Sequence, residues 1–175
     1  GICAVPGVRA AGVRQGKYGL ALIAASGAAA GMFTTNKVRA APLEVTAEHL
    51  AAGGYLDGII TNSGCANAYT GSRGIEDARA MSKLLAGFLT TDETKIGVAS
   101  TGVIGRYMDL PLITQLFEQA KEKLRSDGEA STEAERAIMT TDTRVKEIAV
   151  EHEGLRVAGI VKGAGMIEPN VATML

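Results

Sequence analysis

Apolar residues recur along this chain at two different periods, and the changes between them mark out its elements. From Tyr18 to Thr34 the run "YGLALIAASGAAAGMFT" holds two apolar stretches parted by Ser26-Gly27, which predicts two buried strands joined by a turn. Thr46 ahead of "AEHLAAGG" predicts a short helix with a hydroxyl N-cap and Gly53-Gly54 as its stop. A short strand from Gly58 to Thr61 follows and runs into small polar residues. Between Ile75 and Leu89, the residues Ile75, Ala78, Met81, Leu84, Leu85, Phe88 and Leu89 fall three and four apart, the spacing of one helix face. Glu76 and Asp77 are expected in its first turn, where the helix dipole favours anions.

"KIGVAST", from Lys95, predicts a further strand that ends in small polar residues. A helix is expected from Asp109-Leu110-Pro111 through Leu112, Leu116, Phe117, Ala120 and Leu124. Another, about Ser131 to Met139, opens with Thr132 and Glu135 in capping-box spacing. Lys146 to Val150 alternates, "EHEG" turns and Leu155 to Val161 returns, which predicts a hairpin. Strands and helices are mixed, no repeat of about 20 to 50 residues is visible and no linker divides the chain, so residues 1–175 read as a single α/β unit. The closing "VATML", apolar and uncapped, reads as a buried segment whose neighbours lie in a continuation of the chain.

Composition narrows the range of partners. A hydrophobic fraction of 46% supports a real core and argues against disorder. Eighteen basic and 19 acidic residues are spread evenly, leaving no basic face for nucleic acid and no polybasic membrane anchor, so a small or neutral partner is expected. Twenty-two glycines and no tryptophan point to close backbone packing rather than aromatic anchoring. Cys3 and Cys65 lie far apart with no signal-like start before them, which argues against a disulfide framework and for a reducing cytosol. No apolar run approaches the roughly 20 residues needed to span a bilayer.

Three predicted strand ends terminate in hydroxyl, amide and glycine clusters: "TNSGCANAYTG" (61 to 71), "ASTGVIG" (99 to 105) and "KGAG" (162 to 165). Such loops in α/β folds present backbone N–H groups and short side chains to a common crevice, although each alone is also what an ordinary turn requires. The Walker pattern is absent and Gly163-Ala164-Gly165 lacks the later glycine of a dinucleotide fingerprint. His49 and His152 are isolated, as expected of surface or capping histidines, and no HxxxH, CxxC or GxSxG occurs. No metal or cofactor is therefore called for. Threonine chemistry remains: cutting the peptide bond before a threonine frees an α-amino group, pKa about 8, that serves as base for its own hydroxyl. "NVATML" suits that chemistry, since Ala172 leaves the bond before Thr173 accessible and Pro169 restricts the approach, while an ordinary strand threonine fits the same letters.

The strings "GVRAAGVRQGKYGLALI", "FTTNKVRAAP", "TNSGCANAYTG", "STGVIG", "TTDT" and "KGAGMIEPNVATML", in this order over the whole chain, resemble the ornithine acetyltransferase family, also called glutamate N-acetyltransferase. The resemblance corresponds to about the first half of that family's precursor. It implies self-cleavage between Ala172 and Thr173 into α and β chains, with Thr173 as nucleophile and substrate contact. By the same resemblance Thr101 and Gly102 form the oxyanion hole, and Thr140 and Lys162 bind substrate. A hydroxyl and a glycine N–H suit a developing oxyanion, and the Lys162 ammonium suits a substrate carboxylate, the bland alternative being a solvated strand-end lysine.

The fold implied is a four-layer α/β/β/α sandwich completed by a β chain, in a cytoplasmic α2β2 heterotetramer. The implied reaction is ping-pong transfer of acetyl from N2-acetyl-L-ornithine to L-glutamate through an acetyl-threonine, in arginine biosynthesis. Some members also take acetyl-CoA as a substrate. Residues 173–175 match the start of the family's β chain, so a processed α chain is expected to end at Ala172 rather than Leu175. Two rival readings are a self-processing aminopeptidase or amidase, with water as acceptor, and a non-catalytic module whose glycine loops hold a small ligand. The loop Asn62, Ser63, Gly64, Asn67 and Thr70 either supports the oxyanion loop or closes a tight buried turn. Cys65 within it, with no adjacent base, reads as a small buried hydrophobe rather than a second nucleophile.

Overall fold

The computed structural model of the chain describes residues 1–165 and 174–175. Its first hairpin was not foreseen from the apolar pattern: β1 (Arg9–Gln15) pairs antiparallel with β2 (Tyr18–Ala28), and Gln15 lies opposite Tyr18. That register leaves a two-residue turn, with Gly16 at φ +60 as such tight turns demand. Ser26-Gly27 is not the turn expected there. It lies inside β2, at an irregularity between Ala24 and Gly27 in the pairing with β3, and residues 29–34 form no strand. The small residues absorb a bulge rather than reverse the chain.

The main sheet runs β1-β2-β3-β4, with β3 (Tyr55–Cys65) antiparallel to β2 and β4 (Ile96–Val103) parallel to β3. A parallel neighbour needs a crossover, supplied by α2 (Gly71–Leu89). Because α2 starts at Gly71, Glu76 and Asp77 lie beyond its first turn, and Asp77 is buried. α1 (Ala41–Gly53) likewise begins earlier than expected, behind Pro42, and ends at Gly54 in the left-handed conformation. Thr46 is therefore inside the helix. Its hydroxyl donates to the Val98 carbonyl at 2.7 Å and accepts from the Val98 N–H at 2.8 Å, satisfying the outer edge of β4.

Alternation divides the sheet residues between two cores. Val13, Leu20, Leu22 and Ile60 pack against α1, α2 and α3 (Leu110–Lys121), through residues such as Val45, Met81, Leu85 and Leu116. Ala10 and Ala21 meet Ala130, Ala134 and Ala137 of α4 (Gly128–Ile138) on the other face. That second contact is a close backbone approach: a Cβ on Gly12 would collide with the Glu133 carbonyl, and one on Gly19 with that of Ala137. The N-cap of α4 is Asp127, whose carboxylate accepts from the Ala130 N–H at 2.8 Å, so Thr132 and Glu135 are not the capping box expected of them.

A separate two-stranded sheet, β5 (Glu147–His152) with β6 (Leu155–Ile160), follows α4. Glu153 and Gly154 both take positive φ, as a two-residue hairpin turn of this hand requires. The hairpin's first residue, Glu147, accepts from the Thr132 hydroxyl of α4 at 2.7 Å, and Lys162 lies just past its end. These elements make a mixed α/β unit.

Candidate active site

The ends of β3 and β4 meet at a pair of glycines. Gly64 lies opposite Gly102 in the parallel register, with an irregularity immediately after. Gly102 has φ +130, and a Cβ there would collide with the Gly64 carbonyl carbon; Gly64 has φ +98 and is backed by the Tyr18 ring. No other residue fits either place. Ser63 pairs with Thr101 and donates its hydroxyl to the Ala137 carbonyl at 2.7 Å, which puts both side chains on the α4 face of the sheet.

Thr101 is buried on that face, and Lys162, 3% exposed, donates from Nζ to Thr101 Oγ1 at 3.0 Å. An ammonium offers no lone pair, so the hydroxyl oxygen is the acceptor and its own hydrogen points elsewhere. Burial lowers the Lys162 pKa from its ordinary value, against the pull of Asp142 and Glu135, while Lys146 adds to the lowering. Thr101, Gly102, Thr140 and Lys162 line one cavity of about 310 Å³. Four residues named from sequence, spread over 62 positions, thus come together.

Thr173 and Ala172, the expected nucleophile and cleavage site, lie outside the described residues. Beyond them Leu175 exchanges backbone hydrogen bonds with Lys162, at 2.9 and 3.3 Å.

Several cavity groups are singled out by no motif visible in the sequence. Arg14 and Lys17 line it from the first hairpin. Arg14 also donates to the Arg136 and Met139 carbonyls, at 2.7 and 3.0 Å, holding the C-terminal end of α4. Behind Lys162 lie Asp142, third residue of "TTDT", and Glu135 of α4. Burial works to raise the Asp142 pKa, but bonds from Lys146, Gly163 and Thr140 outweigh it and bring the carboxyl down to about 2. Glu135 goes the other way, raised by burial from 4.5 to about 6, with only the Lys146 N–H as a partner to one oxygen. The available sequence signal was an acidic residue on the alanine-rich face of a helix.

The loop 61–71 binds itself. Asn62 donates to the Cys65 carbonyl at 2.9 Å, Asn67 to the Gly74 carbonyl at 2.8 Å, and Thr70 to the Asn67 side chain at 2.8 Å. It reaches the β4 loop through Ala66 N–H to the Val103 carbonyl and Gly105 N–H to the Ala68 carbonyl, each 2.9 Å, and through the Cys65 thiol, which donates to the Arg106 carbonyl at 3.3 Å. Cys65 is buried, its thiol pKa raised by that burial. His49 is no surface residue: it is buried, with Nδ1 2.8 Å from the Ile96 carbonyl oxygen. Among the described residues no group of His, Cys, Asp and Glu gathers in a metal-binding cluster, and no helix is long and apolar enough to cross a membrane.

A larger cavity, about 460 Å³, opens beside Val5–Val8 and the β2 bulge, but its lining carries no ionisable side chain. The smaller one has convergent hydroxyl, ammonium and guanidinium groups, which is what a ligand site needs to orient a polar molecule. The chain is therefore an α/β protein with a strand-end pocket equipped for a small anionic group or an oxygen that gains charge.

The sequence profile described as the ArgJ family matches residues 6–175, and the chain belongs to that family. It is 49% identical to a glutamate N-acetyltransferase of Methanothermobacter thermautotrophicus, with all of this chain and 45% of the relative aligned. It is 46% identical to the arginine biosynthesis bifunctional protein ArgJ of Archaeoglobus fulgidus, over 98% of this chain and 44% of the relative. The chain thus spans about half the length of the curated relatives it matches. Among solved structures, ornithine acetyltransferase from Mycobacterium tuberculosis complexed with ornithine superposes with a TM-score of 0.92 at 36% identity, covering 98% of this chain and 96% of that one. The Bacillus halodurans ArgJ protein gives 0.89 at 37% identity, covering 98% and 94%.

Proposed function

We propose that the chain is the α-chain half of a cytoplasmic ornithine acetyltransferase that moves acetyl from N2-acetyl-L-ornithine to L-glutamate through an acetyl-threonine on Thr173. The carrying observation is the buried Lys162–Thr101 bond beside Gly102 in a member of this family. Lys162 donates to Thr101 Oγ1, so the threonine's hydrogen is left to meet the acetyl oxygen as negative charge develops. Gly102 lends its N–H from a backbone conformation that its glycine pair fixes in advance. Preorganised donors of this kind are each worth about 3 to 4 kcal/mol of barrier.

Thr173 attacks the acetyl carbon, and its α-amino group takes the hydroxyl proton and returns it to the departing ornithine amine. Glutamate then attacks the acetyl-threonine and restores the hydroxyl. Lys162 and Thr140, with Arg14 near them, face the substrate carboxylate. Leu175 beside Lys162 supports this assignment of Thr173, because two residues span at most about 7 Å.

Autoproteolysis between Ala172 and Thr173 yields the amine. The coverage figures support such processing: this chain fills nearly all of the matched solved chains yet under half of the curated relatives. The β chain completes the four-layer sandwich and the site, and two αβ units form the α2β2 enzyme. In the test, full-length enzyme is incubated with acetyl-labelled acetylornithine. Label is expected on Thr173, with T173A unprocessed and inactive. Unlabelled Thr173 together with an active T173A defeats the scheme, and acetate release without glutamate would favour an amidase. Labelled acetyl-CoA in place of acetylornithine decides whether it serves as a second donor.

A further inference from the structure

We propose that Asp142, gripping Gly163 together with Lys146, is the positioning residue that sets the Lys162 ammonium against the Thr101 hydroxyl. The inference rests on the proposed function and extends it to residues outside the substrate contacts.

Both backbone groups of Gly163 are taken: Asp142 Oδ1 accepts from its N–H at 2.8 Å, and Lys146 Nζ donates to its carbonyl at 2.8 Å. Lys146 and Asp142 are themselves ion-paired, and the Asp142 side chain is wholly inaccessible. On the other flank of Lys162, Val161 donates its N–H to the Lys146 carbonyl at 3.0 Å. Residue 162 is thus fixed from both sides by the same short loop, while Gly163 holds φ +151, a conformation side chains resist. The second oxygen of Asp142 receives the Thr140 N–H at 3.4 Å, so the two elements that carry Thr140 and Lys162 share one carboxylate.

A turn alone does not require a charge here. A neutral amide oxygen accepts from the Gly163 N–H as well, so the carboxylate's charge serves the cations around it, Lys146 as its ion-pair partner and Lys162 beyond. Lys162 is an almost inaccessible ammonium that donates to the Thr101 hydroxyl. Facing it are Asp142 from the loop and Glu135 from α4, which favour its charge, and Lys146, which opposes it. Arg14 and Lys17 line the same cavity from the first hairpin. Asp142 therefore both places the ammonium and helps to keep it charged.

Two near-isosteric variants of the full-length enzyme test this, assayed for acetyl transfer from acetylornithine to glutamate across pH. D142N keeps an acceptor for Gly163 but removes the charge that supports Lys162. kcat and kcat/KM for acetylornithine are expected to fall together, by about tenfold, because the Lys162–Thr101 contact serves the developing oxyanion, and the basic limb of kcat/KM to move to lower pH. K146M removes the opposing cation and moves that limb to higher pH. A purely structural role gives no such opposite displacement. If the parent enzyme transfers acetyl but both variants keep its kcat and basic limb, the positioning role is overturned while the proposed function stands. If the parent enzyme transfers no acetyl, the function falls and this role with it. Should D142N not fold, K146M decides alone: an unmoved limb, or one displaced to lower pH, overturns the proposal.

Discussion

The four-stranded sheet and the β5–β6 hairpin use similar alternating residues and meet opposite environments. The sheet is covered on one face by three helices and over β1 and β2 on the other by α4, so Leu20, Leu22 and Ile60 are fully buried. In the hairpin Ile148, Val150, Leu155 and Val157 are 55–74% exposed. Burial on both faces pins strand register, because a slip of one residue would send each side chain into the wrong layer. The hairpin draws its register from its turn and its placement from the Asp142–Lys146 grip on Gly163. The candidate site takes one partner from each region, Thr101 from the rigid sheet and Lys162 from the hairpin's end, so its precision depends on the junction.

The severest challenge to the rigid side is Gly102→Ala. The new Cβ meets the Gly64 backbone at a φ of +130, and both strand ends must part to admit it. On the proposed mechanism the displaced N–H lowers kcat about 10²- to 10³-fold, measured as acetyl transfer by the full-length enzyme. A kcat within about threefold of the parent removes the glycine pair from the mechanism and shows the sheet end to be less constrained than its packing implies.

Ile60→Ala probes the same sheet away from the site. Ile60 is fully buried within the three-helix core, and its truncation leaves a cavity that close-packed neighbours refill only in part. A loss of about 3 kcal/mol is expected, read from denaturant unfolding of the full-length enzyme against the parent. A loss under about 1 kcal/mol would mean that the sheet tolerates rearrangement and that the contrast with the hairpin is one of exposure alone.

How far the sequence discloses this arrangement depends on the range of the interactions involved. α2, α3, β4 and the β5–β6 hairpin follow from periodicity and turn letters, which are local. β1 is hard to see in sequence because Ala10, Ala11 and Gly12 carry almost no hydrophobic contrast; Ala10 and Gly12 are small to admit α4, a cause about 120 residues away. Thr46 and Glu135 look like local caps in sequence because their true partners, Val98 and the loop at Lys146, are tertiary. The same holds for the site. Thr101, Gly102, Thr140 and Lys162 stand out only through motif resemblance, and the fold gathers them around one cavity. Asp142 left no trace beyond its place in "TTDT", since a carboxylate that grips Gly163 looks in sequence like any polar loop residue.

The smallest expected effect belongs to the hairpin and tests the comparison most finely. Val157 is 67% exposed and lies opposite Val150 across the strand pair. Val157→Ser removes a modest cross-strand contact and some β-propensity while exposing little that was hidden. A change within about 0.5 kcal/mol is expected, measured by unfolding of the full-length enzyme, with acetyl transfer unaltered because the residue lies on the hairpin and lines no part of the cavity. A loss above about 1 kcal/mol would mean that another part of the assembled enzyme covers that face, since apolar burial costs scale with the area removed from water. The contrast between buried sheet and exposed hairpin would then hold for this chain alone, and the hairpin would count as one layer of a larger core.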